Sequence, residues 1–196
     1  SVSIDAMTTS FGYGIPLEDV TKDQRRDAKV INFGVLYGMS PHGLSAATGM
    51  TFTQAKQFID QYFTLRAPIR QYIDATLEKA RVEGYVETYF GRRRPTPDIK
   101  SSNFMVRQSA ERAAANMPIQ GTEADLMKRA MIVVDQMLSD RADQLLQIHD
   151  SILVECDESD AEDIANQMRD IMENIAPELP IRLRVDVSVG DNWGEA

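Results

Sequence analysis

Arg25, Lys29, Phe33 and Tyr37 recur at an interval of four, so two cations precede two aromatic rings along one row. Side chains four apart share a face of an α-helix. Near a helix N-terminus, cations and the helix dipole meet phosphates, while the rings beyond them meet a sugar and a base. Arginine grips a phosphate bidentately and lysine acts as a point charge, so the row suits a nucleoside triphosphate. An amphipathic helix with a basic exposed face, its aromatics packed on a neighbour, would show the same spacing. Asp23 and Asp27 also sit on this helix and dilute its positive field. Arg112, Asn116 and Gln120, all hydrogen-bond donors, also recur every four residues and would align on an unbroken helix, but Pro118 interrupts that alignment. Every base pair offers minor-groove acceptors at similar places, so such donors test duplex geometry without reading sequence. A helix junction whose polar groups cap backbone would use the same residues. Third, His149-Asp150 lies between two short apolar runs, 145–148 and 152–155. An acid there is either turn chemistry or an oxygen ligand for a hard cation.

These residues need particular elements beneath them. Thr21 and Gln24 read as a capping box and Gly38 as a C-terminal stop, which predicts a helix over 22–37. At about 100° per residue, the Arg25–Tyr37 row points roughly 150° away from Ala28, Ile31 and Val35. The aliphatic row is therefore the expected core face. Helices are expected at 41–48, 53–65 and 68–83, the last opening with Pro68. Residues 84–98 read as a short hairpin and loop, and 101–115 as helix. Pro118 is expected to break or restart that helix, with 118–139 continuing it. A strand–turn–strand follows around His149-Asp150, then an acidic helix over 158–175. Residues 181–189 alternate apolar and polar, as a final strand would. The fold class is α+β, mostly helical with a short antiparallel sheet.

The 196 residues carry a formal charge of −9, with 43% hydrophobic and 26% charged residues. That composition suits a folded chain with a real core and argues against disorder. Cys156 is the single cysteine, so no internal disulfide and no oxidising compartment is indicated. Apolar runs reach about five residues, far short of a membrane span. No basic-then-apolar leader opens the sequence, and secretion has no support. Taken whole, −9 argues against a nucleic-acid partner. Its distribution says otherwise: residues 1–112 hold 15 Lys/Arg against 12 Asp/Glu, and residues 113–196 hold 6 against 18. One zone attracts anions and the other can hold cations. Arg92-Arg93-Arg94 and Lys100 fit nucleic-acid backbone contact by electrostatics, or a solvated loop equally well. Trp193 reads as a packing residue, and the methionines as core filler.

The run from Arg25 to Gly38 resembles the fingers-helix motif of family A, bacterial polymerase I-type, DNA polymerases: Arg-x-x-x-Lys-x-x-x-Phe-x-x-x-Tyr-Gly, met at every position. By that resemblance Arg25 and Lys29 hold the incoming triphosphate, Phe33 stacks near the sugar, and Tyr37 with Gly38 borders the nascent base pair. Glu111 to Thr122 resembles the family's primer–template-contacting stretch, which assigns Arg112, Asn116 and Gln120 to DNA. Gln147-Ile148-His149-Asp150-Ser151 is similar to the family motif Gln-x-His-Asp-Glu. There the aspartate binds catalytic metal and His149 sits near the primer terminus. Two Mg²⁺ ions about 4 Å apart activate the primer 3′-hydroxyl and steady the leaving pyrophosphate. Ser151 departs from the family glutamate, and Glu155 lies four residues beyond it.

The resemblance implies a helical fingers subdomain over 1–112 and the C-terminal part of a palm over 113–196. It implies template-directed DNA synthesis from deoxynucleoside triphosphates on primer–template DNA, in a monomeric, cytoplasmic enzyme with no membrane partner. Lys29, His149 and Asp150 are the expected catalytic residues and Asp150 the expected metal ligand. No Asp-Tyr-Ser-type strand precedes Thr21 to supply a second carboxylate, and the chain starts at Ser1 as if mid-element. The expectation is an incomplete fragment, lacking the thumb and first palm strand, that neither folds as a complete palm nor polymerises alone. Two other classes stay open. One is a single-subunit RNA polymerase-type nucleotidyltransferase, disfavoured by Phe33 between Lys29 and Tyr37; the other is a non-catalytic DNA-binding module.

Overall fold

A computed structural model describes Pro16, Asp19 and residues 21–138 and 140–195; for residues 22–27 and Val30 it describes backbone alone. The expected Thr21–Gln24 capping box and the side chain of Arg25 therefore lie outside the described residues. In chain order the elements are α1 (Lys22–Leu36), α2 (Pro41–Thr48), α3 (Phe52–Leu65), α4 (Ala67–Glu83), β1 (Tyr85–Glu87) and β2 (Arg93–Pro95). A 3₁₀ turn at Pro97–Lys100 precedes α5 (Phe104–Leu138). Then come β3 (Ala142–Ile148), β4 (Ser151–Cys156), a 3₁₀ turn at Glu158–Asp160 and α6 (Ala161–Glu173). The chain is mostly helical, with two antiparallel two-stranded sheets, β1–β2 and β3–β4.

Local capping chemistry sets the helix boundaries. Ser40 Oγ accepts the Gly43 N–H at 3.1 Å and opens α2, with Pro41 in its first turn. Thr51 and Gln54 form a capping box at the start of α3. At the end of α4, Gly84 takes φ 79°, a left-handed conformation that costs other residues strain.

The chain divides into two compact units, Ser1–Val86 with Arg93–Met117, and Glu87–Arg92 with Pro118–Ala196. In the first, Ile31 and Val35 of α1 pack with Leu44 of α2 and with Ala55, Phe58 and Tyr62 of α3. A wholly buried leucine such as Leu44 contributes on the order of 2 kcal/mol. A second cluster joins Ala80, Val86, Ile99, Ala114 and Met117. In the second unit, Val134 and Leu138 pack with Ile164 and Met168 of α6, against the half-buried Ile152, Val154 and Cys156 of β4.

Three expectations require correction. Pro118 neither breaks nor restarts the helix: α5 runs unbroken from Phe104 to Leu138 with Pro118 inside it. An interior proline costs about 3 kcal/mol, yet buried Ala114, Met117, Met127 and Ala130 anchor the helix on both sides of it. Residues 181–189 form no strand. Leu183, Val185 and Val187 alternate with exposed neighbours, but no strand among the described residues pairs with them. Alternation specifies a face and does not supply a ladder partner. Finally, Trp193 is 61% exposed and is not a packing residue of this chain.

Candidate functional site

One group of expected residues lies along α1 and the turn that ends it. Ala28, Ile31 and Val35 are buried, so the aliphatic row is the core face, as its angle required. Lys29 is exposed and Phe33 is 47% exposed on the other side. The Phe33 and Tyr37 rings lie 6.0 Å apart at 24°, and Lys29 Nζ lies 5.9 Å from the Phe33 centroid. Cation and rings thus form one continuous surface.

A Schellman motif closes α1. Met39 N–H donates to the Gly34 carbonyl at 2.7 Å and Gly38 N–H to the Val35 carbonyl at 3.1 Å. Gly38 takes φ 84°, and a Cβ there would meet Arg112 Cγ at 3.0 Å. Glycine is therefore required twice, by the backbone and by the Arg112 stem lying against it. A Cβ on Gly34 would run into Met39 Cε, so the thioether occupies the space that the missing side chain leaves. The outcome is a shallow hollow of about 450 Å³ lined by Phe33, Gly34, Tyr37, Gly38, Met39 and Arg112, among others. The spacing pattern missed Gly34 and Met39. The available signal was a glycine inside a helical pattern, which carries a propensity cost and so implies a packing reason.

A separate group of expected residues lies on the β3–β4 hairpin of the other unit. Ile148 pairs with Ser151, leaving His149 and Asp150 as a two-residue turn. His149 takes φ 52°, a left-handed value that histidine adopts more readily than most residues. Gln147 Nε2 donates to the His149 carbonyl at 2.5 Å, and Ser151 Oγ donates to the Ile148 carbonyl at 2.9 Å. Both bonds hold the turn, and the exposed Asp150 carboxylate stands at its tip. The Ser151 hydroxyl is engaged in the turn and is no carboxylate substitute. Glu155 pairs with Asp143 near the other end of the hairpin. Five residues at about 3.3 Å each put it roughly 16 Å along the strand from Asp150, too far to share a metal.

Asp150 is a hard oxygen donor and fits one position of a Mg²⁺ coordination sphere. Among the described residues, no group of three or more His, Cys, Asp or Glu side chains is placed to hold a metal.

α5 carries the other expected contacts, Arg112 and half-buried Asn116 in the first unit and exposed Gln120 in the second. Arg92-Arg93-Arg94 is not uniformly solvated. Arg92 Nε donates to Asp125 Oδ1 at 2.7 Å and its Nη2 to the Gly121 carbonyl at 2.8 Å. Arg93 lies 4.3 Å over the Tyr85 ring. Although burial raises the Asp125 carboxyl pKa, hydrogen bonds from Thr88 and Arg92, and the charges of Arg92 and Lys128, hold it below the usual carboxylate value.

The sequence profile of DNA polymerase family A matches residues 3–195. The chain belongs to DNA polymerase family A. It is 45% identical over 191 residues to thermostable DNA polymerase I of Thermus aquaticus, covering 97% of this chain and 23% of that protein. Against DNA polymerase I of Pseudomonas aeruginosa it is 42% identical over 198 residues, covering all of this chain and 22% of that protein. Among solved structures, the POL domain of Pol1 from M. smegmatis, in complex with DNA primer-template and dNTP, superposes with a TM-score of 0.92 at 38% identity. That match covers 99% of this chain and 35% of the other. This family A chain thus spans about a quarter or less of the length of these curated relatives. Among its described residues, no helix is long and apolar enough to cross a membrane.

Proposed function

We propose that this chain is the nucleotide-binding and primer-handling portion of a template-directed DNA polymerase. The whole polypeptide would join deoxynucleoside triphosphates to a primer 3′-hydroxyl as a cytoplasmic monomer. The observation that carries this reading is the single hollow shared by Phe33, Tyr37, Gly38 and Arg112, with Lys29 beside it, in a member of family A. Residues 1–112 serve as fingers and 113–196 as the C-terminal part of the palm.

Lys29 and Arg25 take the triphosphate as charge-assisted donors. Phe33 offers its exposed face to the sugar, and Tyr37 borders the base pair. The left-handed Gly38 keeps the Arg112 stem close enough to build the wall of the same hollow. Arg112, Asn116 and Gln120 donate to duplex DNA, and His149 orients the primer terminus. Asp150 would hold Mg²⁺, which supplies charge neutralisation and lowers the pKa of the attacking hydroxyl.

The test is single-turnover extension by the complete polypeptide on a primer–template with Mg²⁺. Asp150→Ala should abolish the chemical step, while Lys29→Ala should chiefly weaken nucleotide use. One observation favours a second reading, a DNA-binding module without catalysis: the Ser151 hydroxyl is tied to the turn and Glu155 stands roughly 16 Å away, so no second carboxylate joins Asp150 from this hairpin. DNA binding without any extension would select that reading.

A further inference from the structure

An interior proline removes the N–H that would bond the carbonyl four residues earlier and so weakens its helix locally. In α5 that residue is Pro118, whose missing bond is the one to the Ala114 carbonyl in the turn before it, while the turn after it carries the exposed Gln120. The tip of the first hairpin, Glu87–Arg92, belongs to the same compact unit and reaches this turn with three hydrogen bonds. Tyr89 N–H donates to Thr122 Oγ1 at 2.8 Å, Arg92 Nη2 to the Gly121 carbonyl at 2.8 Å and Arg92 Nε to Asp125 Oδ1 at 2.7 Å. Thr122 in turn donates to the Pro118 carbonyl at 2.5 Å, so its hydroxyl is used in both directions. The Asp125 side chain is only 12% exposed, which makes this pair stiffer than a surface ion pair. Beyond it, Arg129 lies 3.7 Å over the Phe90 ring and bonds Glu178 at 2.9 Å, while the Tyr89 hydroxyl donates to the Glu178 carbonyl.

We propose that the hairpin tip splints the turn of α5 that follows Pro118, with Arg92 and Asp125 as positioning residues that hold Gln120 against the primer–template duplex. The inference rests on the reading of Gln120 as a DNA contact. Charge alone would suggest phosphate binding for Arg92, but its Nε and Nη2 are directed into the protein. Lysine, a single point donor, cannot span both Asp125 and the Gly121 carbonyl.

The experiment measures primer–template Kd and deoxynucleotide KM on the complete polypeptide. Gln120→Ala is tested first. If it leaves Kd unchanged, the DNA-contact reading fails and the splint loses its purpose with it. If it weakens Kd, Arg92→Ala should weaken Kd about tenfold, the worth of one charge-assisted hydrogen bond. Arg92→Lys should resemble Arg92→Ala, whereas Asp125→Asn, which retains an acceptor for Nε, should restore most of the binding. Deoxynucleotide KM should stay within about twofold, a split that general misfolding would not produce. The double variant Arg92→Ala with Gln120→Ala should bind no worse than Gln120→Ala alone. Additive losses, or normal binding by Arg92→Ala, overturn the splint while leaving the DNA contact intact. Thr122→Val leaves Arg92 in place and removes the Tyr89 acceptor. It should weaken Kd in the same sense, and an unchanged Kd there overturns the splint even if Arg92→Ala fails to fold.

Discussion

The candidate residues of α1 and those of the β3–β4 hairpin are held in different ways. Lys29, Phe33 and Tyr37 ride on a helix whose opposite face, Ala28, Ile31 and Val35, is buried. Their placement follows from burial, which many small contacts enforce. Asp150 stands at the tip of a two-residue turn, and its placement follows from the register of one strand pair. A slip of one residue would exchange the faces of β3 and β4 and displace the carboxylate. A binding surface tolerates the first kind of support, because several side chains share the load. The placement of Asp150 depends on the second, where the turn bonds of Gln147 and Ser151 must hold.

Breaking each group should therefore have unequal effects. Asp150→Ala should cost about a thousandfold or more in single-turnover extension by the complete polypeptide, since a metal supplies several kcal/mol to such a step. Extension near the wild-type rate would remove Asp150 from the metal site. Lys29→Ala should lower kcat/KM for deoxynucleotide roughly 10- to 100-fold, as expected for one charge-assisted phosphate contact. An unchanged value would leave the helical row an ordinary basic surface. Gly38→Ala must adopt φ 84° and displace the Arg112 stem, so it should lose about 1–2 kcal/mol from the backbone alone. Gly34→Ala meets only the end of the Met39 side chain and should lose less. Thermal melting of the pair, side by side, checks that order.

The smallest effect concerns acid. Folding lowers the pKa of Asp125, so its stabilisation is fully present above the unfolded value of about 3.9. It is lost as pH falls through the lower folded value. The stability difference between wild type and Asp125→Asn should be constant near neutrality and shrink below about pH 4. Urea unfolding across pH reads it; a difference independent of pH would mean that Arg92 and Thr88 do not favour the charged form.

The α1 row was legible in the sequence because chemistry and helical period coincide within fourteen residues, and the aliphatic row fixed which face turns inward. The His149-Asp150 hairpin was legible because a turn pair sits between two apolar runs. Pro118 misled because a local propensity cost was weighed without the core contacts on either side of it. Arg92 was left open between nucleic-acid contact and solvated loop charge because Gly121 and Asp125 lie 29 and 33 residues away, beyond any local pattern. Residues 181–189 show the same limit, since periodicity cannot reveal whether a partner edge exists.

Met39 fills the space above Gly34 with an unbranched thioether rather than with backbone or a ring. Three rotatable bonds let that wall take up slightly different outlines at little energetic expense. The hollow is then a compliant mould on one side, at Met39, and a fixed one on the other, where Gly38 and Arg112 meet. A ligand that varies in shape while keeping its charge in place would find room only on the compliant side.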